Sequence, residues 1–151
     1  MRIVKVTLGA DVGGTLAVKI IARDRLILAL DLPSAAEAER LMDQVQDQIT
    51  FVKVGLELFT AAGPEIVQRL LKRGKRVFLD LKFLDIEETV RRATERVASM
   101  GVEFLTIHAN RKALAAAVKG RGDSALKLLA VTVLTCISPP CATPAALKRC
   151  A

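Results

Sequence analysis

A chain of 151 residues that is 52% apolar has enough material for one domain with a sizeable core, which excludes a disordered polymer. Its net charge of +7 comes from 23 Lys and Arg spread among 16 Asp and Glu, with no Trp or Tyr to stack on bases. That distribution argues against nucleic acid as a partner and suits a small anionic substrate better. No apolar run approaches the roughly 20 residues that cross a bilayer, and no apolar block or cleavage site follows the basic start, so the expectation is a cytoplasmic chain without a membrane partner.

The first 24 residues stand apart from the rest. Ile3 to Leu8 and Leu16 to Ile21 predict a β-hairpin around Gly13-Gly14, an N-terminal extension over residues 1–24. The stretch Gly9-Ala10-Asp11-Val12-Gly13-Gly14-Thr15 also resembles the first phosphate loop of actin-like sugar and pantothenate kinases. No second nucleotide motif follows, and one short Gly-rich motif does not carry a kinase reading.

From Arg25 to Thr135 the chain repeats one unit, a short apolar strand followed by an amphipathic helix. Strands are predicted at Leu26 to Asp31, Phe51 to Val54, Val77 to Lys82, Glu103 to His108 and Leu126 to Leu134. Pro33-Ser34 opens a helix with Ala38, Leu41, Met42 and Val45 on one face, and Gly63-Pro64 precedes one bearing Ile66, Val67, Leu70 and Leu71. Further helices are expected from about Glu87 to Met100 and near Lys112 to Val118. The predicted fold class is α/β, a truncated (β/α)8 TIM barrel of about five βα units with parallel strands, since a full barrel takes about 250 residues. An open doubly wound sheet is the alternative, weakened by the lack of a Gly-rich cradle after Asp31. Both architectures build sites at the carboxyl ends of strands, and Asp31, Lys53, Asp80, Lys82, His108 and Thr135 all fall there.

The tail, residues 136–151, abandons the pattern, with prolines at 139, 140 and 144 blocking a helix until about Ala145. Its cysteines, Cys136, Cys141 and Cys150, have no His among them and define neither a zinc site nor a disulfide framework. The change of character at Cys136 is expected to mark a truncation or a reading-frame shift. Sequencing the encoding DNA for the missing strands in another frame checks this. Five units of a barrel are also expected to leave a raw sheet edge and unpaired apolar surface.

The most informative segment is Asp80-Leu81-Lys82-Phe83-Leu84-Asp85-Ile86, which sets Lys82 between Asp80 and Asp85 at the end of an apolar strand. Period-two alternation sends Asp80 and Lys82 to the same face. Together with Leu30-Asp31, Phe51-Val52-Lys53-Val54-Gly55-Leu56-Glu57-Leu58-Phe59, Glu87-Glu88-Thr89-Val90, Thr106-Ile107-His108-Ala109 and Ala130-Val131-Thr132-Val133-Leu134-Thr135, it resembles the orotidine 5′-phosphate decarboxylase family over about residues 25 to 135. That resemblance implies a cofactor-free and metal-free barrel enzyme converting orotidine monophosphate to uridine monophosphate in pyrimidine biosynthesis, with sites completed across a homodimer. It implies Lys82 as proton donor, Asp80 against the substrate carboxylate, and Lys53 and Asp31 on ribose hydroxyls and in the charge network. Asp85 and Thr89 would reach the partner subunit's site, and Thr135 would frame the pyrimidine.

Elementary electrostatics suits these roles. Loss of carbon dioxide leaves a carbanion, which a fixed ammonium stabilises as it develops. Asp80 would keep Lys82 protonated and repel a substrate carboxylate. The plainer reading makes Asp85 the N-cap of the next helix. His108, the only histidine, is read as a pocket wall or structural group. Glu87 and Leu84 depart from residues frequent in the family, between the matched positions. The family's phosphate grip lies in loops after late strands that this chain lacks, so little activity is expected of it alone. Two alternatives stand beside this reading. One is a magnesium-dependent hexulose-phosphate synthase or ketogulonate-phosphate decarboxylase of the same superfamily, and the other a non-catalytic dimerisation fragment.

Overall fold

A computed structural model describes residues 26–134 and, by backbone alone, residues 3–5. The second arm of the expected hairpin, the Gly13-Gly14 turn, Thr135 and the cysteine-bearing tail all lie outside the described residues. The chain divides into two compact units, Met1–Asp80 and Leu81–Ala151.

In the first unit β2 (Leu26–Leu30), β3 (Phe51–Gly55) and β4 (Arg76–Phe83, whose last three residues belong to the second unit) pair in parallel, Leu28 opposite Val52 and Val54 opposite Leu79. Their apolar residues form near-continuous runs, as strands covered on both faces require, and Leu28, Leu30, Val52, Val54 and Leu79 are buried. On the other side of β2, β1 (Ile3–Lys5) pairs antiparallel, Ile3 opposite Leu28 and Lys5 opposite Leu26.

Each connecting helix closes on the sheet through its apolar stripe. Helix α1 (Ala35–Val45) buries Ala38 and Met42 and starts at Ser34, whose Oγ accepts from the Glu37 amide at 3.3 Å and donates to Glu37 Oε1 at 3.2 Å. Such side-chain capping stabilises a helix start by about 1 kcal/mol. Helix α3 (Glu65–Lys72) buries Ile66, Val67 and Leu70. Before it runs α2 (Leu56–Ala62), which the sequence did not announce. It is barely two turns long, its N-cap is Gly55 with no side-chain cap, and Leu58 is its one buried residue, so neither a capping signal nor an apolar stripe marks it.

Lys75 is a buried cation that anchors the entry to β4. It is only 8% exposed, and its Nζ donates to the carbonyls of Gln46 at 2.6 Å and Ile49 at 2.8 Å, where the 3-10 turn Gln46–Gln48 ends.

In the second unit, β5 (Phe104–His108) and β6 (Lys127–Val131) pair in parallel, Phe104 opposite Lys127 and His108 opposite Val131. Helix α4 (Glu87–Ser99) buries Val90, Thr94 and Val97. Helix α5 (Arg111–Arg121) starts on Asn110, whose Oδ1 accepts from the amides of Lys112 and Ala113. The two helices approach closely at Gly120. A Cβ there would stand 2.1 Å from the Arg91 carbonyl oxygen and 3.0 Å from Thr94 Cβ. Strand β6 is last in the strand order and carries the exposed apolar residue Leu129, with Val133 exposed just beyond its end.

Both units open their parallel pairs with a cation laid over a phenylalanine across the register. Arg76 lies 4.3 Å from the Phe51 ring centroid in the first, and Lys127 5.1 Å from that of Phe104 in the second.

Candidate active site

The first unit gathers three of the expected site residues. Asp31 follows β2, Lys53 lies in β3, and Asp80 lies in β4 opposite Gly55. Their strands converge so that Lys53 Nζ donates to Asp31 Oδ1 at 2.8 Å and stands 3.7 Å from Asp80 Oδ2. Lys53 is 12% exposed along its side chain, Asp80 18% and Asp31 49%, so the cation is sunk between one half-open and one sheltered carboxylate. Desolvation at that depth strengthens the attraction, and the paired charges hold one another in place.

Gly55 leaves room for this convergence. A Cβ at position 55 would lie 3.2 Å from Asp31 Oδ1 and 3.3 Å from Lys53 Nζ, tighter than side-chain contacts normally allow. Sequence reasoning gave Gly55 no role, because the need for glycine arises from two side chains that meet only in space. A cavity of about 740 Å³ lies beside the network, between the end of β2 and α1, lined by Ala29, Asp31, Leu32, Glu37, Arg40, Leu41 and Gln44. Asp31 is the one member of the network in that lining.

The second unit holds the other candidates on separate elements. Lys82 is half-buried and has φ +49°, so the regular pleat that alternation assumes is broken at this residue. Its backbone N–H donates to Thr106 Oγ1 at 2.9 Å, and Thr106 is 5% exposed in the middle of β5. Asp85 is exposed and its Oδ1 accepts from the Ile86 amide at 2.6 Å. The N-cap of α4 is Ile86, so Asp85 stands one residue outside the helix. Thr89 is exposed in the first turn of α4, between Leu84 and Ile86, 57% and 73% exposed, and the helix body. His108 ends β5 half-buried, its carbonyl accepting from the Asn110 amide.

Five parallel strands alternating with helices in chain order, with charged groups towards the carboxyl ends of the strands, define part of a (β/α)8-barrel protein. The comparisons narrow this to one family. The family model described as "Orotidine 5'-phosphate decarboxylase / HUMPS family" matches residues 24–139. Orotidine 5′-phosphate decarboxylases of Bradyrhizobium sp. and Rhodopseudomonas palustris are each 50% identical to the chain, over 117 and 114 residues. These matches cover 78% and 76% of the chain and 48% of each relative, so the chain spans about half the length of the curated relatives it matches. The crystal structure of the orotidine 5′-phosphate decarboxylase from Lactobacillus acidophilus superposes with a TM-score of 0.69 at 38% identity, covering 76% of this chain and 55% of that one. The chain belongs to the orotidine 5′-phosphate decarboxylase / HUMPS family.

Proposed function

We propose that this chain carries the reacting-centre portion of an orotidine 5′-phosphate decarboxylase, releasing carbon dioxide from orotidine monophosphate to give uridine monophosphate. The observation that carries the reading is Lys53 held between Asp31 and Asp80, at 2.8 Å and 3.7 Å, at the carboxyl ends of neighbouring parallel strands. A simple core has no use for a sheltered lysine set between two carboxylates. The orotidine 5′-phosphate decarboxylases that are 50% identical to this chain favour that chemistry over the magnesium-dependent branch.

In the proposed reaction the bond between the pyrimidine ring and the carboxylate breaks, carbon dioxide leaves, and the electron pair stays on the ring carbon. Lys82 stabilises that pair as an ammonium and then delivers its proton, so no external acid or redox partner is needed. Asp80 stands against the substrate carboxylate and raises its energy relative to the product. Asp31 and Lys53 hold ribose hydroxyls and fix the charge network, and Thr135 frames the pyrimidine. Asp85 and Thr89 serve the neighbouring subunit of a homodimer. The exposed Leu84 and Ile86 beside them suit a covered surface. The reading places the protein in the cytoplasm.

The test is decarboxylation of orotidine monophosphate by the purified chain and its Lys82→Ala variant, followed by ultraviolet absorbance with chelator present. Weak turnover that survives the chelator and is abolished by Lys82→Ala is the expected result, because the matched half of the relatives leaves out the late-strand phosphate loops. Turnover lost with the chelator would move the chain to the magnesium-dependent branch. A folded, silent chain would make it a non-catalytic member of the family.

A further inference from the structure

An extended strand residue has φ near −120°, and a lysine at φ +49° sits in the left-handed region that glycine or asparagine enters more readily. Such a conformation persists where its surroundings over-determine it. At Lys82 the surroundings supply a specific fixture. The backbone N–H donates to Thr106 Oγ1 at 2.9 Å, from a threonine that is 5% exposed between the fully buried Leu105 and Ile107. A β-branched side chain on a strand has few χ1 options, and burial removes water as a competing partner. The acceptor is therefore a fixed point, and the amide aimed at it fixes the peptide plane entering Lys82.

We infer that Thr106 is a positioning residue for Lys82, whose buried hydroxyl holds the left-handed backbone that sets the direction of the lysine side chain. The inference rests on the reading of Lys82 as proton donor for its functional meaning, and on the backbone geometry for its existence. Relaxing Lys82 to an extended φ would swing its Cα–Cβ bond and carry the ammonium away from where it is used. A misplacement of about 1 Å in a catalytic group lowers turnover on the order of 100-fold.

The experiment compares the chain with Thr106→Val, which keeps the branched shape and removes the hydroxyl, and with Thr106→Ser, which keeps the hydroxyl. The three-bond amide-to-Hα coupling and amide exchange of Lys82 are read by NMR. In Thr106→Val the coupling is expected to move towards the larger value of extended backbone, and exchange at Lys82 to speed up roughly tenfold, the loss of one hydrogen bond. Thr106→Ser is expected to keep both near the parent values. A parent-like coupling in Thr106→Val overturns the inference. Should Thr106→Val not fold, Thr106→Ala against Thr106→Ser decides it on the same readout. Where turnover is measurable, Thr106→Val should lower kcat with KM nearly unchanged, and Thr106→Ser should restore it. The coupling is read without turnover, so a silent chain defeats the decarboxylase reading while this inference still stands or falls on Lys82 itself.

Discussion

The two units fix their candidate lysines by different means. In the first, Lys53 is a regular strand residue whose position is set by charge, drawn to Asp31 and Asp80, while Gly55 leaves room for the meeting. In the second, Lys82 is set by its backbone, bent to φ +49° and tied through its amide to Thr106. The contrast extends beyond the lysines. The first unit clamps a loop with the buried ammonium of Lys75, and the second brings helices together by backbone contact at Gly120. Charge can pull a long, adaptable side chain into place, whereas a conformation set through the backbone depends on the exact shape of its neighbours.

The largest effect that tests this contrast is on turnover. If Lys82 donates the proton while Lys53 holds ribose hydroxyls and orders the network, Lys82→Ala should lower kcat on the order of 10⁴-fold, combining proton donation with charge stabilisation. Lys53→Met should lower it about 100-fold and raise KM as well. Steady-state kinetics on the two variants separates the roles, and equal losses with parent-like KM in both would erase the distinction.

Stability provides the next tests, one in each unit. Lys75→Met strips two charge-assisted hydrogen bonds and leaves the Gln46 and Ile49 carbonyls without them, at a cost of about 3 kcal/mol. Gly120→Ala forces a methyl group onto the Arg91 carbonyl, and parting the two helices should cost about 2 kcal/mol. Urea unfolding measures both. A neutral Gly120→Ala would mean that α4 and α5 can separate freely, and backbone contact would no longer distinguish the second unit.

Much of the first unit's candidate charge cluster was legible in the sequence because charges that end apolar runs are conspicuous. Asp31, Lys53 and Asp80 stood out for that reason, and the parallel strands followed from their spacing. The second unit's device was not legible. A lysine carries no signal of a left-handed φ, and Thr106 reads as one more β-branched strand residue until its hydroxyl is seen 2.9 Å from the Lys82 amide. The same alternation that located Lys82 on a strand also implied a regular pleat through it, which the backbone breaks. Helix α2 escaped because a glycine cap and a single buried leucine leave no periodic stripe.

The smallest effect concerns a charge cluster on the second unit's surface. Glu88, in the first turn of α4, accepts from Arg91 Nε and Nη2 at 2.9 Å each and from Arg92 Nε at 2.7 Å. Those hydrogen bonds, from Arg91 first and Arg92 second, lower its pKa from 4.5 to about 2. A carboxylate whose folded pKa is depressed stabilises the fold fully above its unfolded pKa, and that contribution is lost as pH falls towards the folded value. The window here runs from about 4.5 down to about 2. Glu88→Gln should therefore lower the urea midpoint slightly at about pH 6, and the gap from the parent should close as the pH approaches about 2. The cluster is exposed, so added salt should shrink the gap as well. A gap independent of both pH and salt would show that Glu88 acts through packing, and the surface of this unit would then follow the same shape-dependent logic as its interior.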